Sequence, residues 1–106
     1  MTTPPPPPNY RVEIEDSQWE TIQTFPRADI DLLLAFLKNH AAHTPTLLVP
    51  GHLKALKGDY RGHYQLTLSG GRRFIYTVDE NAKRAQCQYV GRHPDWDKSR
   101  GGAIRR

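Results

Sequence analysis

Lysine, arginine and histidine side chains crowd the ends of β-patterned segments in the second half of this 106-residue chain. Lys54 and Lys57 stand just before a meander of alternating segments, and Arg61 and His63 stand at its entry. Arg72 and Arg73 open its second segment, and Arg92, His93 and Trp96 follow its last. Such groups are what cleavage of RNA without a metal requires. One side chain takes the 2′-hydroxyl proton, a second protonates the leaving 5′-oxygen, and a cation stabilises the phosphorane-like transition state. Histidine suits either proton-transfer role because it titrates near neutrality. No carboxylate cluster is patterned to hold Mg²⁺: Asp79 and Glu80 belong to a turn, and Asp95 and Asp97 to a tail. His40 and His43 lie three apart at a helix end, without the cysteine or second pair that a zinc site needs. Neither a metal nor a cofactor is expected.

Charge is distributed unevenly. Residues 1–50 carry three basic and six acidic side chains, whereas residues 51–106 carry twelve basic and five acidic, within a net charge of +4. A half of that sign attracts polyanions, because neutralising phosphates releases condensed counterions. An acidic protein partner fits the same charge, and a solvated basic face with no partner is the plain alternative. At this length one domain with one modest core is expected. No apolar run approaches the ~20 residues of a bilayer span. Met1 to Pro8 lacks the basic-then-apolar order of a signal peptide. Cys87 is alone, so no internal disulfide can form. These features together predict a cytoplasmic protein.

The elements that must position the basic groups follow from periodicity. Pro4 to Pro8 predict an extended or disordered tail. Tyr10, Val12 and Ile14 alternate with charged residues as a half-buried strand does. Ser17 and Glu20 have capping-box spacing and predict a short helix through Phe25, with Trp19 and Ile22 inward, stopped at Pro26. A second helix is expected from about Arg27 to Ala42, its apolar stripe made by Ile30, Leu33, Leu34 and Leu37 and widened by Leu32 and Phe36. Thr46 to Gly51 reads as a connector. Three returning strands follow, His63 to Leu68, Arg72 to Val78 and Arg84 to Arg92. The predicted fold class is α+β, ordered β-α-α-β-β-β, with two N-terminal helices on one face of a small, mainly antiparallel twisted sheet. The first strand is expected at the sheet edge or beside the last strand. The expected division is a disordered proline-rich tail at 1–9, the folded domain at 10–98, and a basic C-terminal tail at 99–106.

Register decides where Arg73 points. With a three-residue turn, Ser69 to Gly71, Leu66 faces Phe74 and Tyr64 faces Tyr76. Those residues with Leu68 and Val78 then form one apolar face, and Arg73 joins Gln65 and Thr67 on the other. A slip of one residue would bury the arginine, so the hydrophobic pattern selects the three-residue turn. In the last strand Ala85, Cys87 and Tyr89 are expected on one side and Gln86, Gln88 and Val90 on the other. Gly91 predicts a bend or close backbone approach.

The order Leu56-Lys57-Gly58, Gly62-x-Tyr64, Arg73-x-x-Tyr76 and Val90-Gly91-Arg92-His93 resembles the RelE/ParE superfamily of toxins from toxin–antitoxin pairs. The likeness spans roughly Tyr10 to Trp96 and is firmest from Leu56 to His93. It implies a ribosome-dependent mRNA endoribonuclease acting by 2′-hydroxyl attack, with an acidic antitoxin as partner. In that reading Lys57, Arg73 and His93 are catalytic. Lys54, Arg61, His63, Arg72, Arg92 and Trp96 contact phosphate or RNA, Trp96 by stacking on a base. Lys57 resembles the lysine of several ribosome-dependent members, and Arg73 the strand arginine of RelE- and YoeB-like interferases. Where RelE carries two strand lysines this chain has Gln65 and Thr67, and Leu56-Lys57 with Gly62 is nearer the HigB- and YoeB-like branches. Two alternatives stay open: a ParE-like inhibitor that binds DNA gyrase without cleaving anything, and a non-toxic binding module on the same fold. From the residues alone, Arg73 also reads as a structural strand arginine, Lys57 as a solvated loop lysine, His93 as a strand-end histidine and Trp96 as a core cap. Tyr64 and Tyr76 read as core.

Overall fold

The computed structural model describes residues 9–92. The two predicted tails, His93 and Trp96 therefore lie outside the described residues, apart from Asn9. Five strands form one sheet in the order β1-β5-β4-β3-β2, where β1 is Arg11–Glu13, β2 Leu53–Ala55, β3 His63–Thr67, β4 Arg72–Asp79 and β5 Arg84–Arg92. The β2-β3, β3-β4 and β4-β5 pairs are antiparallel, while β1 runs parallel to β5 at the edge. Two helices, α1 (Asp16–Ile22) and α2 (Arg27–Phe36), connect β1 to the meander. The α+β class and the helix-before-meander order are as expected.

Details of the helices differ from the sequence reading. The box that opens α1 lies two residues earlier, Glu15 with Gln18: the Glu15 amide donates to Gln18 Oε1 at 2.9 Å. Glutamate can fill the same reciprocal role as serine, so the Ser17-x-x-Glu20 spacing was a decoy. The helix stops at Ile22, and Phe25 is buried in the link before Pro26. Helix α2 begins after Pro26 as expected but widens into a π-helical turn at Leu37–Ala41, closed by the Ala42 amide on the Leu37 carbonyl at 3.1 Å. Its buried stripe is Asp29, Leu33, Leu37 and Ala41, and Leu32 and Leu34 are exposed. The buried stripe is thus narrower than the apolar spacing predicts.

The core sits between the helices and one face of the sheet. Ile22, Leu33 and Leu37 pack against Leu53, Leu66, Phe74, Tyr76, Ala85, Cys87 and Val90. Each such side chain contributes roughly 1.5–3 kcal/mol when fully buried. Strand β2 was not expected. It is three residues long, and its alternation is too short to register as a period. Register in the β3-β4 hairpin is as the hydrophobic pattern required: Leu66 opposes Phe74, Tyr64 opposes Tyr76, and Thr67 opposes Arg73. The turn is Ser69–Gly71, with Gly70 at φ 65° and Gly71 at φ 80°, values that favour glycine.

The alternation assigned to β5 needs correction. Ala85 and Cys87 face the core, but the register shifts between Ile75 and Tyr76, so that Ile75 opposes Tyr89 while Tyr76 opposes Cys87. Gln88 is the extra residue of a β-bulge. After it the faces exchange, Val90 turns to the core and Tyr89 to the opposite side.

Candidate functional site

The face of the sheet away from the helices is where the expected site residues gather. Paired residues of neighbouring strands share a face, and the register lays them out in rows. One row runs Lys54, Gln65, Ile75, Tyr89 across β2, β3, β4 and β5. The next toward the Ser69–Gly71 turn is Thr67, Arg73, Gly91, and the next the other way holds His63, Thr77 and Gln86. Arg73 therefore stands on the polar face, and its Nη1 donates to Gln65 Oε1 at 3.1 Å. Gln65 is only 2% exposed. Lys54, directly opposite Gln65 on β2, is exposed.

His63 is two rows from Arg73, about 13 Å along the strands at 3.3 Å per residue. Its Nδ1 lies 3.1 Å from the Tyr60 carbonyl and its ring meets the Tyr60 ring edge-on, centroids 6.1 Å apart. That histidine belongs to the rim formed by the segment before β3. Lys57 and Arg61 flank the 3₁₀ turn Gly58–Tyr60 of that segment, and both are exposed. The turn is anchored by Tyr60, which packs with Leu56 and Tyr89 around Ile75 in a small second cluster. Ile75, on the same face as Arg73, is fully buried. Alternation along β4 puts it there, but no sequence signal announces that Leu56 and Tyr60 fold over it.

Beyond Arg73 the strand end is shaped by Gly91. It has φ 153°, and a Cβ there would meet Tyr89 Oη at 2.9 Å. The Tyr89 hydroxyl donates to the Arg92 carbonyl at 2.8 Å, so the ring lies along the backbone opposite Arg73. Close approach is what the glycine was expected to permit. Arg92 itself is exposed at the end of β5.

Arg72, grouped by sequence with the phosphate contacts, is placed elsewhere. It faces the helices, and its Nε donates to Asp29 Oδ2 at 3.0 Å, with the guanidinium carbon 5.7 Å from the Phe25 ring centre. Asp29 also accepts from the Ser69 amide at 3.2 Å and the Ser69 hydroxyl at 2.7 Å. Burial alone would raise the Asp29 carboxyl. The Ser69 hydrogen bonds and the Arg72 guanidinium outweigh it and hold the group below the ordinary carboxylate range. This knot ties the start of α2 to the hairpin turn that precedes Arg73. No local pattern in the sequence links Asp29 to this turn, since the contact spans about forty residues.

Among the described residues, no group of three histidine, cysteine or acidic side chains is placed to hold a metal ion. No helix among them is long and apolar enough to cross a membrane. The described site is thus Arg73 with Gln65 and Lys54 at its centre, and Lys57, Arg61 and His63 around the rim, whereas Arg92 pairs with Arg72 and falls on the helix-side face. Chemically it can hold a phosphate against a sheet-borne guanidinium, with the rim adding positive charge.

The fold and this basic face define the class of molecule: a small α+β domain with the architecture of RelE- and YoeB-type toxins. Solved structures carry the comparison. The toxin–antitoxin complex RelBE2 of Mycobacterium tuberculosis aligns with TM-score 0.62 at 15% identity, covering 80% of this chain and 99% of that one. A YoeB/ParE toxin from Agrobacterium tumefaciens aligns with TM-score 0.62 at 23% identity, over 78% and 98%. An E. coli RelE mutant in complex with an antitoxin peptide aligns with TM-score 0.61 at 16% identity, over 92% and 97%. No family model matches the sequence, and no curated protein is detectably similar to it. At these identities the likeness is one of fold.

Proposed function

We propose that this chain is the toxin of a toxin–antitoxin pair and cleaves messenger RNA on the ribosome without a metal. The observation that carries the reading is Arg73: a hydrogen-bonded guanidinium on the polar face of a RelE-like sheet, bonded to Gln65, which Lys54 opposes on β2. In the proposed reaction the 2′-oxygen attacks the adjacent phosphorus and the bond to the 5′-oxygen breaks. Cyclic phosphate and a 5′-hydroxyl result. Arg73 stabilises the charge of the transition state, Lys57 and His93 serve proton transfer or charge stabilisation, and Lys54 holds phosphate. The basic second half of the chain docks on ribosomal RNA. An acidic antitoxin neutralises the toxin by covering this face. Leu32, Leu47 and Leu48 are exposed and add apolar surface that a partner protein can bury.

Cleavage of a defined message by purified protein, with and without programmed ribosomes, tests the reading. Cuts confined to ribosome-bound message, and lost by at least a hundredfold in Arg73→Ala, are the expected result, the scale on which loss of one oxyanion donor acts. Undiminished cleavage by a folded Arg73→Ala protein refutes the role of Arg73. A second reading, a gyrase-binding toxin, is favoured by the neutral Gln65 and Thr67 on the strand where RelE carries lysines. It predicts growth arrest and broken DNA with no RNA cleavage.

A further inference from the structure

Gln65 occupies the middle of the functional face, between Lys54 on β2 and Ile75 on β4, and is 2% exposed. A carboxamide buried this deeply is costly unless it is hydrogen-bonded. Its Oε1 accepts from Arg73 Nη1 at 3.1 Å, a diagonal contact between adjacent strands. We propose that Gln65 is the positioning residue of this site, holding the Arg73 guanidinium in one orientation without cancelling its charge. The proposal rests on the reading of Arg73 as the phosphate-stabilising cation.

The chemistry of the amide explains why this residue suits the task. A carboxylate at the same place would accept the same hydrogen bond but form an ion pair, and the field offered to a phosphate would fall. A leucine of similar volume would pack against Ile75 yet withdraw this acceptor from the guanidinium. Glutamine supplies a neutral acceptor. A guanidinium has five N–H donors in a plane, so one bond to Gln65 orients the plane without exhausting it. The burial of Gln65 beside fully buried Ile75 keeps the acceptor from swinging away.

The test compares Gln65→Leu and Gln65→Glu with the wild type, reading ¹⁵N-arginine side-chain spectra and single-turnover cleavage of ribosome-bound message. In wild type the Arg73 Nη nitrogens are expected as separate signals, because rotation about Nε–Cζ is hindered. Gln65→Leu collapses them to one averaged signal and lowers kcat by roughly ten- to a hundredfold with KM little changed, as a misplacement of about 1 Å does. Gln65→Glu keeps the signals separate but lowers kcat, since the charge that stabilises the transition state is partly neutralised. Should the leucine variant fail to fold, Gln65→Asn, whose amide is withdrawn by one methylene, carries the same expectation. Unchanged Arg73 signals and kcat in the leucine or asparagine variant overturn the proposal, as does a loss of stability with kcat of the folded protein intact. If Arg73→Ala cleaves normally, the cation reading fails instead, and the spectra still decide whether Gln65 orders Arg73.

Discussion

Removing the Asp29 carboxylate should cost more stability than almost any other single change on this chain. Asp29 is 5% exposed and accepts three hydrogen bonds, two from Ser69 and one from Arg72. The Arg72 side chain is itself only 15% exposed. Asp29→Ala leaves that guanidinium buried without its counter-ion, a loss of about 3–5 kcal/mol. A domain of this size holds only ~5–15 kcal/mol in total. Asp29→Asn keeps the shape and part of the bonding, and its cost is about 1–3 kcal/mol. Asp29→Leu combined with Arg72→Met removes both charges and should recover most of the alanine loss, since apolar replacement of a buried pair is often neutral. Urea unfolding followed by tryptophan fluorescence measures all four proteins. The pH dependence supplies an independent arm. The folded carboxyl lies below its ordinary value, so the unfolded chain binds the proton more readily. Its stabilisation is full above the unfolded pKa of about 3.9 and is lost as pH falls through the folded pKa. Asp29→Asn should lack that part of the acid dependence. An alanine variant within 1 kcal/mol of wild type, or an asparagine variant with an unaltered acid limb, refutes the argument.

Cys87 is 5% exposed, and burial pushes its thiol up to about 12. Alkylation at pH 8 should therefore be slow in the native protein and at least tenfold faster in denaturant, because the thiolate is the nucleophile. Equal rates would place the thiol in solvent. Gly91→Ala forces a Cβ to within 2.9 Å of Tyr89 Oη at a φ of 153°. It should cost about 1–3 kcal/mol and lower Tm by several degrees in calorimetry; an unchanged Tm would show that the Tyr89 ring moves aside without penalty.

The parts of the fold legible in sequence were those with a repeating pattern. Tyr64, Leu66, Phe74 and Tyr76 alternate over enough residues that only one hairpin register buries them all, and that register also fixed the face on which Arg73 stands. What stayed illegible lacked a period or depended on distance along the chain. Strand β2 is three residues long. The bulge at Gln88 breaks alternation at one point, so Tyr89 was placed on the wrong face. Leu32 and Leu34 were counted into the helix stripe because they are apolar, although i, i+4 spacing from Asp29 through Leu33 and Leu37 leaves both outside. Arg72 and Arg73 are adjacent and chemically identical in sequence. Only the pleat separates them, sending one to Asp29 and the other to Gln65.

That separation bears on what the functional face is for. The helix-side core already supplies the burial on which stability depends. On the other face the Ile75 cluster needs only apolar neighbours, and leucine at the position of Gln65 would serve it better than a buried amide bonded to a guanidinium. Desolvating such a polar pair brings little net stability. A local choice that costs stability, in a sheet otherwise patterned for packing, marks a place where another requirement dominates. Under the proposed function that requirement is a cation held still on the sheet surface, with the exposed Lys54, Lys57 and Arg61 to draw a polyanion toward it.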